Sequence, residues 1–449
     1  MKVVKFGGSS VASATQIEKV GDIIKSDPER KLVVVSAPGK RDSNDFKITD
    51  MLIQMGEAYL GNQSYKDYLA TIMERFKQIV HELNIPAAVL EDIELSINNV
   101  LDSTVSDDMK LDAIKALGED SSAKIISEYL NYLGIEASYV NPKEAGIIVS
   151  NDPGDARILP ESFSKLYTLR DRTGILVIPG FFGYTKDGNL ATFSRGGSDI
   201  TGSIVAAGVQ AKLYENFTDV DSVYTVNPTI VEQPKEITKL TYKEMRELSY
   251  AGFSVFHDEA LIPAFNEKIP VAIKNTNNPQ APGTKIVAEK ASKEKCVVGI
   301  ASDTGFCSIY ISKYLMNREY GFGRKLFSIL EDEMISFEHA PSGIDDMSII
   351  IRDTQLTPEK EAVVLRRIKE ELHADTVSIH RDLAIIMVVG EGMNSTIGIA
   401  QKATTALMEA NVNIEMINQG SSEVSMMFGI QAEGLERAIQ SLYNAYFVK

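Results

Sequence analysis

The chain of 449 residues has no tryptophan, two cysteines and five histidines. Cys296 and Cys307 are too few to frame a disulfide scaffold and predict reduced thiols in a cytoplasmic protein. His257 is the histidine nearest the motifs described below, and it reads as structural. Positive charge is in deficit, with 46 Lys and Arg against 62 Asp and Glu and a net charge of -16. That balance argues against nucleic acid or an anionic membrane as partner, yet leaves room for a local positive pocket. No apolar run approaches the ~20 residues of a membrane span, and no signal-peptide h-region follows the first lysine. Two familiar nucleotide loops are missing as well: the P-loop and the dinucleotide Gly-x-Gly-x-x-Gly. What remains is the composition of an ordinary globular protein, 44% hydrophobic and 24% charged, long enough for roughly three domains.

One stretch organises the rest. Lys2-Val3-Val4-Lys5-Phe6 reads as a short buried strand that stops at Gly7-Gly8, followed by Ser9-Ser10 as N-caps and a helix over residues 11–25. Leu32-Val33-Val34-Val35 then reads as a parallel strand. Two glycines between strand and helix let backbone N–H groups approach an anion, and the helix adds its positive end. Lys5 supplies a point charge for a phosphate oxygen, which makes Lys5, Phe6, Gly7, Gly8 and Ser9 a candidate phosphate cradle. A plain tight turn has the same pattern.

Strands and helices alternate over residues 1–285, with strands at 137–140, 146–150, 174–178 and 271–274. Long amphipathic stretches at 64–84 and 87–133 predict a helical lobe. The pattern predicts an α/β fold, an open and mostly parallel sheet sandwiched by helices, with ligands at the carboxyl ends of its strands. A second glycine pair in Ser194-Arg195-Gly196-Gly197-Ser198-Asp199 opens a helix over 200–208 and repeats the cradle logic. Its arginine offers a planar fork for a carboxylate. Thr218-Asp219 and Tyr224 end a further strand and enter an irregular loop, a platform for adenine and ribose.

Lys5-Phe6-Gly7-Gly8-Ser9-Ser10, Gly118-Glu119, Arg195-Gly196-Gly197-Ser198-Asp199 and Thr218-Asp219 fall in the order and spacing of the aspartate kinases. The resemblance runs along essentially the whole chain and implies the amino-acid kinase fold. Residues 286–295 read as a charged linker. Beyond it the pattern is βαββαβ over 304–381, then a second copy that ends one strand short. Residues 296–303 hold a spare strand, Cys296-Val297-Val298-Gly299-Ile300-Ala301. It is expected to complete the second copy with 382–449, leaving the first copy inserted within it. Both copies resemble ACT domains, small ferredoxin-like amino-acid sensors. In such modules ligands sit where a first loop meets a neighbouring strand, which nominates Met316, Gly321, Phe322, Glu338, Ser342 and Asp345 as effector-binding. Turn residues in solvent are the plainer reading of those acids.

The resemblance implies ATP with Mg²⁺, L-aspartate as acceptor and 4-phospho-L-aspartate as product, the first step toward lysine, threonine and methionine. It also implies feedback inhibition, most often by lysine, and assembly into a homodimer or homotetramer through the ACT domains. A carboxylate with a pKa of about 3.9 is already ionised and needs no general base. Lys5 is expected to neutralise the phosphoryl group, and the resemblance assigns Asp199 the task of orienting Lys5 and neighbouring donors, which makes the two the expected catalytic pair. Arg195 takes a substrate carboxylate beside Gly196, Gly197 and Ser198; Glu119 takes the ammonium; Thr49 donates a hydrogen bond. Two departures weaken the nucleotide side. Asn227-Pro228-Thr229 stands where many relatives have Asp-Pro-Arg, and Ser254 replaces a lysine. Lys212 or Lys274 could supply the missing charge. The rival readings are a kinase for glutamate, acetylglutamate or a nucleotide, and a catalytically silent ACT sensor.

Overall fold

The computed structural model describes residues 1–194, 196–253, 256, 259–290, 296–420 and 424–448. The chain divides into two compact units. The first comprises residues 1–223, 236–246 and 254–291, the second 224–235, 247–253 and 292–449.

The first unit is built on the apolar runs noted above. β1 (Lys2–Phe6) and β2 (Arg30–Val35) flank the helix α1 (Ala14–Lys25). Then come α2 (Ile48–Leu60), α3 (Lys66–Glu82), α4 (Ala88–Leu101) and α5 (Asp107–Tyr132). The helix expected over 87–133 is thus two helices. Leu101 ends the first, and the polar, β-branched run 102–106 supplies Ser106 as the start of the second. β3 (Ala137–Tyr139), β4 (Ile175–Pro179), the hairpin β5 (Phe182–Tyr184) with β6 (Leu190–Thr192), α6 (Gly197–Gly208) and β7 (Leu213–Thr218) follow. β8 (Lys239–Thr241), β9 (Val271–Asn275) and β10 (Thr284–Val287) complete an eight-stranded sheet in the order β8-β10-β9-β7-β1-β2-β4-β3. Pairing is parallel from β9 to β3, and β10 runs antiparallel to β9. The strand expected over 146–150 is no part of this sheet. Ile148 and Val149 make only isolated bridges, to Tyr184 and Ile158.

One sheet face, with Val4, Phe6, Val33, Val35 and Phe217, is covered by α1 and the helical lobe α2–α5. On that face Arg30 grips Glu215 through two buried bonds of 2.7 and 3.1 Å. The opposite face takes α6, whose small residues admit a close approach. A Cβ on Gly202 would lie 2.4 Å from the Tyr214 hydroxyl.

The second unit carries a five-stranded antiparallel sheet: β11 (Gly299–Ser312), β12 (Asp346–Arg352), β13 (Thr376–Val389), β14 (Met416–Asn418) and β15 (Ser425–Gln431), in the order β12-β11-β13-β15-β14. The helices α7 (Phe322–Asp332) and α8 (Pro358–Glu371) pack one core; α9 (Ile399–Glu409) and α10 (Leu435–Tyr443) pack another. β11 and β13 each span both halves. Residues 299–303 pair with 385–389, and 306–312 pair with 376–383 as well as with β12. The bounds expected at 303/304 and 381/382 fall within continuous strands; pairing is irregular between Asp303 and Phe306, and Gly305 and Asp382 take positive φ. The second strand of the βαββαβ pattern expected over 304–381, which would fall at 335–339, is reduced to a fringe. Glu338 and His339 bond to Ile350, and Pro341, which lacks an N–H, stops a ladder from forming. Among the described residues no helix is long and apolar enough to cross a membrane.

Candidate active site

Three loops meet at the carboxyl ends of β1, β2 and β4, and glycines set how closely. A Cβ on Gly8 would meet the Ala37 carbonyl at 3.0 Å, and one on Gly39 would sit 2.8 Å from the Gly8 carbonyl carbon. The Gly39 amide donates to Gly8 O at 2.9 Å. Gly8 therefore serves backbone-to-backbone packing of the first two loops, a use that the phosphate argument does not anticipate. The third loop brings Gly180 against Ser198, where a Cβ would lie 2.7 Å from the serine Cβ. Phe181 at its tip holds φ 78 and packs on Gly197, the first residue of α6.

The first helix does not open on the glycine pair. Residues 8–11 form a 3₁₀ turn, and α1 is capped by Ser13, whose Oγ accepts from Gln16 N. Ser10 is unavailable as a cap because its hydroxyl bonds to the Thr276 hydroxyl at 2.6 Å.

Lys5 points from β1 toward α6 and is 6% exposed. Its ammonium lies 2.6 Å from Asp199 Oδ1, in the first turn of that helix. The same oxygen accepts from Asn216 Nδ2 at 2.6 Å, a residue that no motif marks. Glu119 comes from the middle of α5 and is 5% exposed, with Oε2 lacking a hydrogen-bond partner among the described residues. Burial lifts its pKa to about 8, against the pull of the Ala37 amide, the Lys5 charge and the Ser198 hydroxyl. Gly118 makes the approach of α5 possible, since a Cβ there would overlap the Ala37 Cβ at 2.6 Å. Lys5, Glu119, Ser198 and Asp199 thus form one constellation: a cation held by one carboxylate, beside a second carboxyl with a vacant acceptor. Such a set can neutralise a phosphoryl group and receive an ammonium.

Thr49 is half-buried in the first turn of α2, which is tied to the β2 loop through Ile48 N and Pro38 O at 3.1 Å. Gly196 takes φ 82 ahead of the helix. Thr218 and Asp219 close β7 and bond to one another at 3.1 Å. Tyr224 falls in the second unit. Arg195, Ser254 and His257 lie outside the described residues. Neither lysine considered as a replacement charge faces Lys5. Lys212 precedes β7 at its amino end and pairs with Glu29. Lys274 is the lateral neighbour of Phe217, so by strand alternation it lies on the Arg30–Glu215 face, opposite Lys5 and Asn216.

Among the effector candidates, Met316 and Phe322 are buried in the α7–α8 core and Gly321 takes φ 78 before α7. Asp345 Oδ1 accepts from Leu315 N at 2.8 Å, a bond between two separate loops. Glu338 is held by the Tyr250 hydroxyl and lies 3.6 Å from Arg352 Nε. Ser342 lines a cavity of about 350 Å³ with Tyr310, Asp346, His380 and Ile417.

Residues 1–275 match the amino acid kinase family and residues 386–446 the ACT domain. The chain is 58% identical over 448 residues to aspartokinase 3 of Bacillus subtilis, an alignment covering 100% of this chain and 99% of that protein. The structure is similar to that of Clostridium acetobutylicum aspartate kinase, with a TM-score of 0.88 and 40% identity over 99% of this chain and 100% of that one. Escherichia coli aspartokinase III shares the fold at 24% identity. Its complex with aspartate and ADP gives a TM-score of 0.79 over 100% of both chains. Its complex with lysine and aspartate gives 0.80, over 100% of this chain and 99% of that one.

Proposed function

The chain belongs to the amino acid kinase family and within it to the aspartate kinases, and from that membership we propose how its residues divide the work. The β-carboxylate of L-aspartate attacks the γ-phosphorus of ATP, giving 4-phospho-L-aspartate and ADP. Because the nucleophile is ionised at neutral pH, the protein's part is alignment and charge neutralisation. Lys5 compensates charge on the transferring group, and Asp199 fixes where its ammonium sits. Glu119 receives the substrate ammonium on its unpartnered Oε2, and Ser198 and Thr49 add hydrogen bonds. Arg195 takes a substrate carboxylate, with Gly196 and Gly197 shaping the turn. Gly7, Ser9, Thr218 and Asp219 line the nucleotide side, with Phe6 beneath.

The observation that carries this reading is the Lys5–Asp199 pair at 2.6 Å beside a buried carboxyl with a vacant acceptor. A silent sensor would have no use for it. Mg²⁺ arrives on the ATP phosphates. Among the described residues no three His, Cys, Asp or Glu side chains are grouped to hold a metal.

The regulatory reading belongs to the same proposal. Residues 1–285 are the catalytic domain in this reading, with 286–295 as a linker, although β10 carries the sheet on to Val287. Residues 304–381 form one ACT domain, inserted in a second made of 296–303 and 382–449. Lysine is the effector in this reading, supported by the lysine complex of the Escherichia coli relative. Assembly as a homodimer or homotetramer through ACT domains, the start of lysine, threonine and methionine synthesis, and a cytoplasmic location resting on two free cysteines complete it. The test is aspartate-dependent ADP release with wild type and Glu119→Ala. The variant is expected to raise the aspartate KM strongly with ATP binding kept; an unchanged KM removes Glu119 from the site.

A further inference from the structure

Asp199 Oδ1 accepts two hydrogen bonds, one from Lys5 and one from Asn216, each 2.6 Å long. Asn216 stands directly opposite Lys5 in the β1–β7 register, so the two side chains rise from neighbouring strands on the same face. It is 3% exposed. Two residues earlier on that face, the Tyr214 hydroxyl bonds to the Asp199 carbonyl at 3.3 Å. β7 therefore grips both ends of Asp199.

We propose that Asn216 is a positioning residue for phosphoryl transfer, acting through Asp199 on Lys5. A carboxylate oxygen offers about two lone-pair directions, and here both are filled. The terminal torsion of an aspartate is soft. With Lys5 as the sole partner, the carboxylate and ammonium can turn together without losing their bond. The Asn216 amide removes that freedom. It pins Oδ1 from the strand side, so the remaining two ammonium protons of Lys5 keep one direction. A residue whose amide is buried against a catalytic pair has no part in holding aspartate, so its effect belongs in kcat. The inference rests on the roles given above to Lys5 and Asp199.

The experiment compares Asn216→Asp and Asn216→Leu with wild type for kcat and both KM values between pH 5.5 and 8.5. Thermal unfolding of each protein serves as the folding check. Asn216→Asp keeps shape and packing but exchanges the donor for a second acid beside Asp199. The charged and titrating groups facing that position are Lys5 from β1, Asp199 from α6, Glu119 from α5 and Tyr214 from β7 itself. Loss of a hydrogen bond to a charged group predicts a fall in kcat of about ten- to hundredfold for both variants, with the aspartate KM within about twofold. For Asn216→Asp, part of the loss returns on acidification, because the introduced carboxyl donates again once it is protonated; Asn216→Leu shows no such return. Wild-type kcat in either variant overturns the proposal, and so does a pH-independent loss in Asn216→Asp. If Asn216→Asp does not fold, the kcat of Asn216→Leu decides. Absence of aspartate-dependent turnover in wild type would instead sink the catalytic reading itself.

Discussion

With Glu119 in the role proposed for it, aspartate binding is a proton-releasing event. Its pKa is lifted by burial to about 8, yet an ammonium ligand needs it ionised. At pH 7 roughly one molecule in ten carries the charge, and ionising the rest costs about 1.4 kcal/mol. The apparent dissociation constant then scales with one plus the ratio of protonated to ionised Glu119. Affinity rises about ninefold from pH 6 to pH 7 and about fiftyfold from pH 6 to pH 8, and levels off above that. Calorimetric titration of the ATP-free enzyme with aspartate, in buffers of different protonation enthalpy, reads the release directly. At pH 7 the expected value is close to about 0.9 proton per aspartate bound. Glu119→Gln abolishes both the release and the slope. An affinity that stays flat between pH 6 and 8, or a titration without buffer dependence, refutes the reasoning. The free protein carries the same signature. A folded-state pKa near 8 against an ordinary value of 4.5 means that the unfolded chain gives up this proton first. Stability therefore declines as pH rises from about 4.5 to 8, and Glu119→Gln flattens that decline in a melting series.

Other outcomes follow from the same geometry. Lys5→Met should lower kcat by about 10²–10³-fold while the protein stays folded, because it removes charge stabilisation rather than packing; steady-state kinetics with circular dichroism checks it. Glu215→Ala strands Arg30 in the core and should cost about 3–5 kcal/mol in denaturant unfolding, whereas Arg30→Met with Glu215→Leu recovers most of that loss. Gly39→Ala presses a methyl against the Gly8 carbonyl carbon and should cost about 1–3 kcal/mol, with a raised ATP KM. Titrating activity with lysine, threonine and both together should show inhibition by lysine; inhibition by threonine alone overturns that choice of effector.

The pairing of Lys5 with Asp199 was legible because both residues are marked locally. Lys5 ends a buried strand at two glycines, and Asp199 follows two more at a helix start. What escaped depends on distant chain. Ser10 looked like a cap, but Thr276 claims its hydroxyl, and no local pattern foretells a partner so far along the sequence. Asn216 sits in an ordinary strand, Leu-Tyr-Glu-Asn-Phe-Thr, and its importance arises only when β7 pairs with β1. Lys274 was attractive as a charge near a strand end, yet strand alternation sends it to the other face. The bounds at 303/304 and 381/382 came from the repeat pattern alone, whereas the continuity of the strands across them depends on pairing partners far along the chain. Glu119 shows a different limit. Its place on a helix was readable, but its unpartnered Oε2 appears only once α5 closes on Ala37.

The long strand β11 has a consequence for how the polypeptide is made. Gly299 waits for Val389 as its neighbour, ninety residues downstream. At ribosomal speeds of about 5–20 residues per second that is an interval of roughly 5–20 s. Through that time residues 299–303 lack the strand that will pair with them in the finished sheet, while 306–312 can already meet β12.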